Sequence, residues 1–164
     1  MAEIVIREAL PEDGDAIWAI LEPVFRAGDT YAIDPDISHE TALGYWCGPD
    51  HSTFVALESG QLLGTYYLRR NQGGGGSHVC NCGYVTAPAA RGKGVARTML
   101  THSLEEAVRQ GFRAMQYNFV VATNTRAIAT WEQAGFHIAG RLPAAFRHPE
   151  FSFVDALVMY KDLT

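Results

Sequence analysis

No run of about 18 apolar residues occurs in the chain, so no segment reads as a helix crossing a bilayer. Cysteine is scarce. Cys47, Cys80 and Cys82 are the only three, an odd number that argues for free thiols. Cys80 and Cys82 have no second pair to complete a tetrahedral set, so no metal is expected. Basic charge is not in excess: 13 Lys and Arg stand against 18 Asp and Glu, a net charge of −5. That excludes a broad nucleic-acid surface. The opening Met-Ala-Glu-Ile-Val-Ile-Arg lacks the basic-then-apolar layout of a secretion signal, which points to a cytoplasmic location and no membrane partner. What is present is 48% hydrophobic and 19% charged residues over 164 positions, the balance of one folded domain spanning 1–164.

Periodicity and punctuation predict the order β-α-α-β-β-β-α-β-α-β-β. The predicted strands are 3–7, 53–57, 62–69, 78–86, 115–121, 136–142 and 153–161. The predicted helices are the segment from Pro11 to Gly28, Ser38 to about Trp46, 94–109 and 124–134. The four glycines 73–76 predict a mobile loop without a regular element. In the long central helix, Val95, Met99, Leu100, Leu104, Ala107 and Val108 are the expected inward face. Strands interleaved with helices in the middle, and hairpins elsewhere, predict an α/β architecture. It has one mixed, twisted sheet of about seven strands with helices on both faces.

The segment Arg91-Gly92-Lys93-Gly94-Val95-Ala96 lies between a strand and a helix. Glycines let the backbone approach a ligand and aim successive N–H groups at one point. The helix adds its positive end, and Arg91, Lys93 and Arg97 add full charges. This is an anion cradle suited to phosphate. It is not a Walker loop, because Ala87 stands where glycine is needed and Gly94 follows Lys93. It is not a dinucleotide fingerprint, because Arg97 stands at the third glycine.

The loop resembles the coenzyme A loop of GNAT acetyltransferases, Q/R-x-x-G-x-G/A, here Arg91-x-x-Gly94-x-Ala96. Asn124, Ala127, Trp131, Gly135 and Phe136 resemble that superfamily's downstream N-x-x-A-x-x-L-Y-x-x-x-G-F pattern. The resemblance covers roughly residues 3–162. It implies acetyl-CoA as cosubstrate and a strand that splays from its neighbour after Thr86. It also implies a backbone N–H, that of Val85 or a neighbour, aimed at the thioester carbonyl. Trp131 stands where many of these enzymes have an acid tyrosine, and an indole cannot titrate near neutrality.

Closer still, Ser77-His78-Val79-Cys80-Asn81-Cys82-Gly83-Tyr84, Tyr117-Asn118-Phe119-Val120 and Thr123-Asn124 resemble segments of fungal L-azetidine-2-carboxylate acetyltransferases, as do Gly140-Arg141-Leu142-Pro143 and Val154-Asp155-Ala156. That likeness implies roles for three asparagines. Asn81 holds substrate. Asn118 sits at the reaction centre, orienting the amine and donating to the thiolate. Asn124 contacts pantetheine. Each could equally cap backbone, and Asn124 also sits where a helix N-cap belongs. Tyr84 and Val85 border the cofactor. Tyr31 is a candidate wall of the acceptor pocket, or a loop aromatic. His78 is a candidate substrate contact or base, or a structural histidine.

The expected function is acetyl transfer from acetyl-CoA to a small amine, an amino acid or a cyclic imino acid among the candidates, by direct attack in a ternary complex. The alternatives are a protein or peptide N-acetyltransferase, and a non-catalytic acyl-CoA sensor. The chain length is compatible with a homodimer.

Overall fold

The computed structural model describes residues 2–164. The chain runs β1 (Ile4–Glu8), α1 (Gly14–Ala27), α2 (His39–Trp46), β2 (His51–Glu58), β3 (Gln61–Arg70), β4 (Val79–Thr86), α3 (Val95–Arg109), β5 (Ala114–Val121), α4 (Thr125–Gln133), β6 (His137–His148) and β7 (Ser152–Asp162). All seven strands form one sheet in the order β1-β2-β3-β4-β5-β7-β6. β4 and β5 are parallel, and every other pair is antiparallel. The predicted element order and mixed sheet are thus borne out.

Alternation along the strands sorts the core into two layers. Beneath α3 and α4 lie Phe54, Tyr66, Leu68, Met99, Met115, Tyr117 and Met159. Beneath α1 and α2 lie Ile17, Leu21, Phe25, Trp46, Val55 and Tyr67. Each large apolar side chain removed from water contributes about 1.5–3 kcal/mol. Buried polar groups are paired where they tie layers together. The Trp46 indole donates to the Thr65 hydroxyl at 3.0 Å, and Thr65 donates to the Phe54 carbonyl at 2.8 Å. That pins α2 to the sheet. On the other face α3 sits close to β3. A Cβ on Gly64 would lie 2.9 Å from Met99 Cε and from Val95 Cγ1. The start of α3 is therefore seated directly on the sheet.

Three expectations need correction. Val108 is 54% exposed, so the inward face of α3 is completed by Ser103 and Glu106 instead. The glycine run forms a single 3-10 turn over Gly74–Gly76. β6 extends six residues past Leu142, because Pro143 does not end it. As an edge strand it tolerates a missing N–H. The register shifts between Leu142 and Phe146, Ala144 takes φ +50°, and its N–H donates to Asp155 Oδ1 at 2.9 Å.

Candidate active site at the parted strands

β4 and β5 share only two rungs, Val79 with Ala114 and Cys80 with Met115. Beyond them β4 continues to Thr86 and β5 to Val121 without pairing. The strands thus part at Asn81, well before the predicted position after Thr86. Asn81 is the first β4 residue past the last rung. Its Nδ2 donates at 2.9 Å to the carbonyl of Gln116, the first β5 residue past it. A side chain thereby satisfies a backbone group that the missing ladder would leave alone. β5 carries a bulge at Asn118 and Phe119, where its register against β7 shifts. Such bulges re-aim side chains.

The backbone of β4 decides which amides face the opening. Ala87 N donates to Leu63 O, and Asn71 N donates to Val79 O. With the two-residue alternation of an antiparallel ladder, the odd-numbered residues of β4 face β3. Val85 N–H is therefore turned toward Thr65 across that ladder, and the Val85 side chain is buried under α1. Of the expected alternatives, Val85 or a neighbour, only the neighbour has an N–H directed at the opening. Tyr84 N–H points into the opening, where it donates to the Tyr31 hydroxyl at 3.0 Å, and that hydroxyl donates back to Tyr84 O at 2.8 Å. Burial raises the Tyr31 phenol well above its ordinary value, so it acts as a neutral donor and acceptor.

The two faces of the opening differ. On the α3 and α4 side, the Tyr84 hydroxyl bonds Ser103 Oγ at 2.7 Å and the Tyr117 hydroxyl at 3.1 Å. Trp131 lies over both rings, with centroids 5.2 Å from Tyr84 and 4.9 Å from Tyr117. On the α1 and α2 side the surface is amide-rich. Asn118 Nδ2 donates to Asn71 Oδ1 at 2.6 Å, and Gln116 Nε2 donates to Asn118 Oδ1 at 2.9 Å. Asn118 and Trp131 thus approach β5 from opposite faces.

Thr86 leads through a short 3-10 turn, Pro88–Ala90, into the glycine loop and α3. Gly92 and Gly94 take φ +81° and +80°, a region costly for other residues, and a Cβ at either would meet nothing within 4 Å. The first helical bond runs from Thr98 N to Gly94 O. Among the described residues the N–H groups of Gly92, Gly94, Val95, Ala96 and Arg97 have no acceptor. Unpaired donors at a helix start, with open space beside Gly92 and Gly94, fit a pyrophosphate. Arg91 and Arg97 are exposed beside it, whereas Lys93 is paired with Glu58 at 3.3 Å.

Residues 15–136 match the acetyltransferase (GNAT) family. The chain belongs to that family. A GCN5-related N-acetyltransferase from Kribbella flavida is 38% identical, with 97% of each chain covered and a TM-score of 0.92. An acetyltransferase of Salmonella typhimurium, solved with its cofactor acetyl-CoA, shares the fold at 21% identity. That match covers 98% of this chain and 94% of the other, with a TM-score of 0.85. An N-acetyltransferase of Schizosaccharomyces pombe is 36% identical over 111 residues, 67% of this chain. The GNAT chain described here spans about half, 53%, of that curated relative's length.

Of the residues singled out in the sequence, Tyr31, Asn81, Tyr84, Asn118 and Trp131 gather around the opening. The 91–97 loop and Asn124 flank its wide end. Asn124 occupies the N-cap position of α4, but its side chain makes no capping bond, so the capping expectation fails and the amide is free. His78 lies outside the opening, exposed and beyond the two rungs. Sequence reasoning missed Asn71, Gln116, Tyr45 and Tyr67. One signal was present for Tyr67: a glycine inside a strand, Gly83, marks a close approach.

Proposed function

We propose that this GNAT protein is an acetyl-CoA-dependent N-acetyltransferase acting on a small amine, with amino acids and cyclic imino acids as the substrate class. The observation that carries the reading is the parting of β4 and β5 at Asn81. It releases the Tyr84 amide from the β4–β5 ladder, with an anion cradle at the wide end and an amide-lined face beside it. Acetyl-CoA supplies an activated acyl group and a thiolate leaving group. The chain's residues do the rest. The N–H groups of Gly92 to Arg97 hold the pyrophosphate. The free Asn124 amide meets the pantetheine arm. Tyr84 N–H stabilises charge on the carbonyl oxygen. Asn81 and Asn118 orient the amine from the α1 and α2 side. Trp131 offers an indole N–H from the opposite side, a donor that does not titrate.

A carboxylate-bearing amine suits this face because neutral amides accept and donate without repelling it. The likeness to azetidine-carboxylate acetyltransferases rests on the three asparagines and their flanking residues. The test is CoA release from acetyl-CoA with a panel of amino acids, proline and L-azetidine-2-carboxylate. Turnover of panel members above water supports the reading. Turnover confined to peptide amines replaces it with a protein acetyltransferase, and acetyl-CoA binding without turnover replaces it with an acyl-CoA sensor.

A further inference from the structure

Tyr67 lies in the middle of β3, directly across the ladder from Gly83. A Cβ on Gly83 would stand 2.6 Å from Tyr67 Cε1, 3.0 Å from Cζ and 3.1 Å from the hydroxyl. The ring therefore crosses β4 where that strand has no side chain. Its hydroxyl reaches the point at which β4 and β5 part, where it donates to Asn81 Oδ1 at 3.4 Å. On its other side it lies 3.1 Å from the Tyr45 hydroxyl. Tyr45 belongs to α2 and is 37% exposed. Two hydroxyls in series thus lead from the apex of the opening to a residue at the protein surface.

An amine attacks only with a free electron pair, and amino and imino acids carry ammonium groups at neutral pH. A proton must leave the acceptor before the N–C bond forms. Among the described residues, no titrating base, carboxylate or imidazole, hydrogen-bonds to the groups around the apex, Asn71, Asn81, Gln116, Asn118, Tyr45 and Tyr67. Tyr31 is a phenol that burial keeps neutral, and the Tyr84 and Tyr117 hydroxyls bond one another on the opposite face. His51 meets Tyr67 and Tyr45 through ring contacts, with centroids at 4.8 and 6.2 Å, and its ring nitrogens have no partner among the described residues.

We propose that Tyr67 and Tyr45 form the route by which the acceptor's proton leaves for solvent, a reading that rests on the acetyl-transfer function above. The Tyr67 hydroxyl turns its proton from Asn81 Oδ1 to the Tyr45 oxygen. The ammonium then gives one proton to the Tyr67 oxygen as Tyr67 passes its own to Tyr45, and Tyr45 passes its own to water. The freed nitrogen pair forms the N–C bond. The C–S bond breaks onto sulfur, and the second nitrogen proton ends on the CoA thiol. One proton reaches solvent per turnover. Burial raises the Tyr67 phenol far above its ordinary value, so Tyr67 passes protons and does not hold a charge. The groups facing the pair are Tyr31 from the 29–37 loop, Trp46 from α2, His51 from β2, Arg69 along β3 and Asn81 from β4.

Tyr67→Phe and Tyr45→Phe keep the rings and remove the relay. The assay uses the full chain, acetyl-CoA and whichever panel amine the wild-type protein acetylates fastest. At pH 7 kcat should fall about tenfold to a hundredfold in Tyr67→Phe and less in Tyr45→Phe, whose position water can take. The loss should vanish as the pH rises to where the amine is itself deprotonated. Acetyl-CoA affinity by calorimetry should stay within about twofold. A Tyr67→Phe deficit that persists undiminished at high pH, or none at pH 7, overturns the relay while leaving acetyl transfer intact. Wild-type protein that acetylates no panel member removes the function and the relay with it.

Discussion

The Tyr31 hydroxyl and the Tyr84 backbone hold one another twice, at 2.8 Å through the carbonyl and at 3.0 Å through the amide. A loop phenol thus occupies both backbone groups of Tyr84, which β4 turns into the opening. A ligand carbonyl that bonds the Tyr84 amide must displace it. Giving up one or both bonds costs about 1–2 kcal/mol. Tyr31→Phe should therefore bind acetyl-CoA about fivefold to thirtyfold more tightly by calorimetry, with a lowered Tm for the apoprotein. Weaker binding would mean that the hydroxyl stays in place and contacts the ligand.

Gly94→Asp tests the cradle. The substitution sets a carboxylate among the unpaired N–H groups and strains a backbone at φ +80°. The strain costs roughly 1–2 kcal/mol, which a domain of this size withstands. The circular dichroism spectrum should be retained, and acetyl-CoA affinity should fall more than about tenfold. Affinity within twofold of wild type would move the pyrophosphate elsewhere.

Asn118→Ala separates chemistry from folding. Asn118 is exposed and bonds only to Asn71 and Gln116 side chains, so its removal should cost no more than about 0.5 kcal/mol of stability. If its amide orients the amine and donates to developing charge, kcat should fall about a hundredfold, far more than the KM for acetyl-CoA rises. Asn118→Asp should do no better, because a carboxylate has no N–H to give. A kcat within threefold of wild type would shift the centre to Asn81 and Tyr67.

Much of this architecture is legible in the sequence. Gly28, Gly111 and Gly135 punctuate helices, and the run 91–97 announces its charge and its glycines. What stays hidden depends on partners distant in the chain. Tyr67 sits in an apolar strand and reads as core until its pairing with Gly83 is known. The choice between Val85 and its neighbour Tyr84 stays open in the sequence because strand parity is set by β3, not by the loop motif. The parting begins at Asn81 because the Asn81 side chain replaces a rung, and no local pattern encodes that. Pro143 misleads because a sheet edge accepts what an inner strand refuses.

Asp13 gives the fold a defined acid limb. The Arg7 guanidinium, bonded at 2.7 and 3.1 Å, holds its carboxyl below the ordinary value of 3.8, and Leu10 N–H adds a further bond. A depressed native value means stability that is present above the unfolded value and lost as the pH falls through the native one. Urea melts should show wild type more stable than Asp13→Asn at pH 6, with the difference shrinking below pH 3.8. A difference constant from pH 6 to pH 2 would assign the effect to geometry instead of charge.

With only two rungs between β4 and β5, the sheet behaves as a book with a short spine. One cover is β1 to β4 and the other is β5 to β7. A long thin molecule laid between the covers would supply the missing cross-links along most of their length, and its departure would return them to the spine alone. Ligand occupancy and the stiffness of the whole domain then rise and fall together. The unliganded protein is the softer of the two, and ligand binding should slow amide exchange at Cys82 and Thr86, along the inner margin of the first cover.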